Sequence, residues 1–194
     1  MSVIEKNLMT ILKIAKMGNP CLLEIAKPIS DPTAPGIAKL AADMRETLLD
    51  IGANGLAAPQ VHIAKRLIVY RVAAHQIPST SEMKPVDWKV LINPVITPLT
   101  DQQELIWERC LSVPGLHGKV SRYTRIHLQA TQLDGSSIKI EASGFHAMLL
   151  QHEYDHLEGY LYPMRMKDMS SLAYNSELGD PGFMILRDPR EFQQ

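Results

Sequence analysis

The 194-residue sequence is short of cysteine, of long apolar runs and of net charge. Each shortage closes off a class of protein. Cysteine occurs only at Cys21 and Cys110. A small secreted scaffold stapled by disulfides needs more, so the pair fits a reducing compartment, where a thiol is free, catalytic or a metal ligand. No stretch approaches the roughly 20 apolar residues of a membrane helix. Glu5, Lys6, Lys13 and Lys16 interrupt every early apolar run before it reaches signal-peptide length, so a cytoplasmic protein without a membrane partner is expected. The formal net charge of −1 argues against a broad electrostatic grip on nucleic acid, and no DNA binding is expected. Internal repeats and low-complexity tracts are also lacking.

Apolar residues make up 45% and charged residues 21%, close to globular averages, so disorder is not the default. The length suits one hydrophobic core, and residues 1–194 are expected to form a single domain with a C-terminal tail from about residue 166. Residues 1–17 give no firm element. Pro20, Pro28, Pro32 and Pro35 then mark an irregular segment. A helix follows, capped by Asp31 or Thr33 and stopped at Gly52, with Ile37, Leu40, Ala41, Met44 and Leu48 on its apolar face. Strands are expected at Leu67–Val72, at Lys89–Ile92 ending on Asn93-Pro94, and at Glu104–Trp107. Residues 73–87 read as a polar loop containing Pro78 and Pro85. Ile126, Leu128 and Ala130 alternate with polar residues, as do Ile138 and Ile140, and Asp134-Gly135 between them signals a hairpin. A second helix spans about Ser143 to Leu157, with Phe145, Met148, Leu149, His152 and His156 on one face. Beyond Pro163, Gly179, Pro181, Gly182 and Pro189 break up the tail. The order predicts an α+β fold: antiparallel sheets packed around a central helix, with another helix nearer the N-terminus.

That central helix carries the strongest chemical signal, His152-Glu153-Tyr154-Asp155-His156. Four residues is about one helical turn, so both imidazoles project from one face and can grip one ion. Glu153 is placed to reach water at that ion without having to be a ligand. The remaining histidines, His62, His75, His117, His127 and His146, show no such pattern. A catalytic metal generally has three protein ligands and one open position. Extension of the motif toward a third histidine stops at Tyr162. Glu177 is a distant carboxylate with no strong element to place it. Cys110 follows a strand-like segment and opens a sharply turning stretch, Cys110-Leu111-Ser112-Val113-Pro114-Gly115. A thiolate with two imidazoles suits Zn(II), Fe(II), Co(II) or Ni(II). On its own, Cys110 reads better as a small buried hydrophobe than as a ligand.

Three separated segments share a further property. Gly55-Leu56-Ala57-Ala58-Pro59-Gln60, Glu108-Arg109-Cys110-Leu111-Ser112 and Gln151-His152-Glu153-Tyr154-Asp155-His156-Leu157-Glu158-Gly159 resemble, in order and spacing, the three motifs of peptide deformylases. The resemblance covers roughly residues 11–165. It implies Cys110, His152 and His156 as metal ligands, Glu153 as general acid/base, and Gln60 with the backbone N–H of Leu111 as oxyanion donors. It also implies one divalent ion per chain, Fe(II) in the cell, and formyl-methionyl nascent peptides, met at the ribosome, as partners. Gly55 would line the wall along which a peptide lies. Phe145 and Met148 are candidates for the methionine pocket, and Glu108 is grouped with these substrate-contacting positions. Three positions depart from the motifs: Arg109 and Ala53 replace glycines, and Asn54 replaces an apolar residue. They leave open a divergent deformylase-like metal-binding protein with weak or altered activity, or a non-catalytic metal-binding or ribosome-associated module. A zinc endopeptidase using Glu177 as third ligand is the other alternative.

Overall fold

A computed structural model describes residues 10–74, 77, 83–178 and 184–185. The readings made for residues 1–9, His75, Pro78, Gly179, Pro181, Gly182 and Pro189 lie outside these.

Helix α1 spans Pro35–Ile51. Its buried stripe is Ile37, Leu40, Ala41, Met44 and Leu48, joined by Asp43 and Thr47. Gly52 ends it in the left-handed region at φ 73°, donating its N–H to Leu48 O. The start differs from expectation. Ala34 is the capping residue and Pro35 opens the first turn, while Asp31 instead closes a local turn by accepting from Thr33 N–H at 2.9 Å.

Strands β1 (Gly55–Ala57), β2 (Leu67–Val72) and β3 (Val86–Pro98) follow, then β4 (Gln103–Cys110), β5 (Val113–Tyr123), β6 (Arg125–Thr131) and β7 (Ser137–Ser143). Helix α2 is Gly144–Leu157 and α3 is Tyr162–Arg165. Strand β8 (Ala173–Tyr174), α4 (Asn175–Leu178) and β9 (Met184–Ile185) complete the order. One antiparallel sheet runs β1-β2-β3-β6-β7; the other runs β8-β5-β4-β9. The α+β expectation holds. Among the described residues no helix is long and apolar enough to cross a membrane.

Strand β2 is apolar almost throughout because it is covered on both faces. Ile68, Tyr70 and Val72 pack with Phe145, Leu149 and Leu150 of α2. Leu67 and Val69 pack with Leu40, Met44 and Leu48 of α1. The β6–β7 hairpin keeps its expected alternation, with Leu128 opposite Ile140 and Ala130 opposite Ile138. Strand β3 does not stop at Asn93-Pro94. Asn93 adopts φ 50° and the pairing register shifts between Ile92 and Val95, so the signal marks a bulge. The Asn93 side chain anchors that kink, accepting from Ile29 N–H and donating to Ile29 O, each at 2.9 Å.

Strand β5 had no sequence signal. Pro114, Gly115 and Gly118 read as turn residues, and its buried positions include His117 and Arg122. Helix α2 is buried on nearly every side, touching β1, β2, β3, β6 and β7 of one sheet and β5 of the other. Directly after it, Gly159 sits at φ 76°, where a Cβ would come within 2.7 Å of Leu23 O.

His146 on α2 stands 3.1 Å from the Tyr70 hydroxyl, and burial lowers its pKa from 6.5 to about 4. A histidine kept neutral by the fold contributes stability in full above its unfolded pKa and loses it as pH falls toward the folded one. Thermal unfolding should therefore show the wild type losing more stability between pH 6.5 and about 4 than His146→Gln, which cannot take up the proton.

Candidate metal centre

The site forms where α2 meets the β4–β5 hairpin. His152, Glu153 and His156 come from one buried turn of α2, and Cys110 from the last residue of β4. The ligand atoms of Cys110, His152 and His156 all lie within 4.8 Å of one another. Cys110 Sγ is 3.3 Å from His156 Nε2. All three residues are at most 4% exposed.

Two of the three donors, His152 and Cys110, are held by hydrogen bonds from their neighbours. His152 Nδ1 lies 2.7 Å from Glu108 Oε2; a carboxylate only accepts, so Nδ1 carries the proton and Nε2 keeps its lone pair. Glu108 is itself gripped by Arg122, through Nε at 2.6 Å and Nη2 at 3.0 Å. Arg122 Nη1 continues to Asp155 Oδ2 at 2.7 Å, and Arg165 of α3 closes the chain on Asp155 Oδ1 at 2.7 Å. Burial would push the Glu108 carboxyl up, but Arg122 and the His152 contact outweigh it and hold it at about 2. Burial would likewise raise the Cys110 thiol; the facing His156 and His152 instead hold it well below its ordinary value. Ser112 N–H at 3.4 Å and Gln60 Nε2 at 3.5 Å both donate to its sulfur.

The remaining polar groups surround these donors. Gln60 lies on the short helical turn Ala58–Val61 after β1. Its Oε1 accepts from Ala57 N–H at 2.9 Å, which turns the amide N–H groups toward Cys110 and Ser112. Leu111 and Ser112 make the two-residue turn between paired Cys110 and Val113, so the strand ladder does not use the Leu111 N–H. Glu153 is 1% exposed, its Oε2 finds no hydrogen-bond partner among the described residues, and burial raises its pKa to about 7. A cleft of about 290 Å³, lined by Lys16, Arg109, Cys110, Leu111 and Leu116, opens beside this cluster.

Several positions differ from the sequence reading. Glu108 was grouped with substrate-contacting residues, yet it is fully buried and both oxygens are occupied by Arg122 and His152. It orients a histidine. Phe145 packs in the core with Tyr70 and Leu149, and Met148 is fully buried; neither is among the residues that line the cleft beside Cys110. Gly55 lies against Glu153: a Cβ there would collide with the carboxylate, 2.8 Å from Cδ. Glu177 is exposed on α4 and outside the cluster, which removes the endopeptidase ligand set; Tyr162 is buried with Val113 and Val120. Arg109 lines the cleft, and Ala53 joins it there. Asn54 is fully buried, and its amide finds no partner among the described residues.

Sequence reasoning missed Ser112, Arg122, Asp155 and Arg165. Asp155 was in plain view inside the motif. Arg122 carried a faint signal, a charge flanked by Val120 and Thr124 on the inward phase of a strand whose existence was not recognised.

Thiolate, two imidazoles and an adjacent buried carboxylate define a metallohydrolase. The donor set fits a borderline-soft divalent ion, and the Nε2 of His152 is aligned for one by the Glu108 contact. Comparison with known proteins narrows the class. The sequence pattern of the polypeptide deformylase family matches residues 11–171. Peptide deformylase 1 of Nitrosomonas europaea is 42% identical over 175 residues, covering 90% of this chain and 98% of the relative. Peptide deformylase 1 of Prochlorococcus marinus is 38% identical, covering 91% of each. Among solved structures, a class I type b peptide deformylase from Acinetobacter baumannii with Met-Ala-Ser bound superposes with TM-score 0.75 at 33% identity, over 82% of this chain and 100% of that one. The peptide deformylase of Ehrlichia chaffeensis gives TM-score 0.75 at 30% identity, over 84% and 91%. The chain belongs to the polypeptide deformylase family, whose members are metal-dependent hydrolases.

Because Gly55 leaves room for Glu153, Gly55→Ala should displace that carboxylate and lower turnover by about tenfold or more, roughly 1.4 kcal/mol in the barrier. Bound metal, measured by elemental analysis, should stay near one ion per chain.

Proposed function

We propose that this protein removes the N-formyl group from the initiator formyl-methionine of nascent polypeptides, releasing formate. The observation that carries the proposal is the convergence of Cys110, His152 and His156 with Glu153 on one side and Gln60 and the Leu111–Ser112 turn on the other. In this reading Cys110, His152 and His156 hold one divalent ion, Fe(II) in the cell, with Zn(II), Ni(II) or Co(II) as substitutes. The protein works in the cytoplasm on chains emerging from the ribosome, and residues 1–194 act as a single deformylase-like unit with a tail from about residue 166.

A formamide resists water because its C–N bond is resonance-stabilised. A divalent ion held by Cys110, His152 and His156 would supply Lewis acidity there, easing removal of a water proton and polarising the carbonyl. Glu153, with a pKa of about 7, is matched to both halves of the proton transfer. It accepts the proton from the attacking water and returns it to the departing amine. As the formyl carbon becomes tetrahedral, its oxygen gains negative charge. Gln60 Nε2–H and Leu111 N–H are the donors that meet this charge. Gln60 is suited to the task because Ala57 fixes its oxygen and so fixes where its N–H groups point. Glu108 and Arg122 keep His152 in one tautomer and one orientation throughout.

The non-catalytic alternative rests on the cation at Arg109. It is not favoured, because Cys110, His152 and His156 converge beside the cleft that Arg109 lines.

Anaerobic purification, metal analysis and a formate-release assay on formyl-Met-Ala-Ser form the direct test. Metal-dependent formate release is expected, and metal-loaded protein that releases none would overturn the proposal. Loss of activity on exposure to oxygen would mark iron as the resident ion. Glu153→Ala should keep its metal and lose about 10²–10⁴-fold in kcat. Gln60→Ala should lose about 10²–10³-fold, equivalent to about 2.7–4 kcal/mol.

A further inference from the structure

The segment Ala15–Met17 precedes the first helix and pairs in neither sheet, yet it is closely bonded. Ala15 N–H donates to Gln60 O at 2.8 Å, and Met17 N–H donates to Ser112 O at 2.7 Å. Between them, Lys16 Nζ donates to Leu111 O at 2.7 Å. Ala15 is 1% exposed and packs with Cys110 and Val113, whereas the Lys16 side chain is exposed and lines the cleft with Cys110 and Leu111.

These bonds join two elements that the sheets leave separate. Gln60 follows β1 of the first sheet, and Leu111 lies between β4 and β5 of the second. The direct side-chain links, Gln60 Nε2 to Ser112 Oγ at 3.4 Å and to Cys110 Sγ at 3.5 Å, are long and occupy both N–H groups of the amide. Turning one N–H to the substrate oxygen gives up at least one of them, which weakens the pair as a standing tether. The bonds from residues 15–17 leave both oxyanion donors free, because they engage only carbonyl oxygens. The Lys16 contact also fixes the Leu111–Ser112 peptide plane, whose N–H points at Cys110 Sγ at 3.4 Å. A cation on one end of a peptide strengthens the hydrogen bond at the other.

We propose that Ala15–Met17 set the spacing of the two oxyanion donors, with Lys16 as the positioning residue for the Leu111 turn. This rests on the deformylase reading above. A positioning residue of this kind acts on the transition state more than on substrate binding, so its loss falls on kcat. Arginine at the same position carries donors able to reach the same carbonyl.

The test is steady-state formate release from formyl-Met-Ala-Ser by the metal-loaded full chain, with thermal unfolding recorded for each variant. Lys16→Met should lose about three- to tenfold in kcat, the scale of one hydrogen bond felt in the transition state, with KM within about twofold of wild type. Lys16→Arg should return kcat to within about twofold of wild type. Unchanged kcat in Lys16→Met, a change confined to KM, or equal losses in both variants would overturn the proposal. Should Lys16→Met unfold below the assay temperature, Lys16→Gln takes its place under the same criteria. A wild-type protein that releases no formate would instead overturn the deformylase reading, so the two failures are distinct.

Discussion

A helix with polar side chains on its inner face has to be buried between two sheets, and the rest of the molecule answers that constraint. Helix α2 carries Gln151, His152, Glu153, Asp155 and His156 into a region where each is at most 8% exposed. Buried polar groups need partners, and buried charges need partners of opposite sign. Asp155 is taken by Arg122 and Arg165, His152 by Glu108, and Gln151 by the backbone of Tyr123 and Ala147. Two atoms are left over: His156 Nδ1, on the ring edge away from the Cys110 contact, and Glu153 Oε2 have no hydrogen-bond partner among the described residues.

The charge chain from Arg165 to His152 costs desolvation and returns orientation. Removing one member of a buried pair is typically destabilising by about 3–5 kcal/mol, because the other charge is left stranded. The chain places a fixed acceptor behind His152 Nδ1, and with it one tautomer. Two residues apart on β4, Glu108 and Cys110 both face inward, one orienting His152 and the other contributing its sulfur to the Cys110–His152–His156 cluster. Arg109 takes the opposite side, where the register shifts between Glu108 and Cys110.

Periodicity made much of the fold legible. The apolar spacing of α1, the run of β2 and the alternation of β6 and β7 each follow from which faces are covered, and the chain obeyed them. The metal cluster was legible because one helical turn fixes His152 and His156 together, while Cys110 became convincing through the neighbouring motif. The failures have physical reasons. Strand β5 was hidden because Pro114, Gly115 and Gly118 are turn formers, and because its inward positions hold His117 and Arg122 instead of aliphatics. Asn93-Pro94 signals a break in regular pairing, and a bulge satisfies that signal as well as a strand end does. The surroundings of Glu108, Phe145 and Met148 were not legible, because a motif gives chemistry and order, but the direction of a side chain depends on strand and helix phase.

The thiolate and the second imidazole are separated by 46 positions of chain and belong to different layers. An isolated α2 could present its paired imidazoles, but the sulfur arrives only when the hairpin docks. An ion held by all three would therefore discriminate between the docked and undocked arrangement, and its occupancy would act as a latch across the seam between helix and hairpin. By mass action such a ligand adds to the stability of the assembled form in proportion to the logarithm of its concentration over its dissociation constant. Cellular metal supply would then set how long this seam stays closed, as well as how fast the chemistry runs.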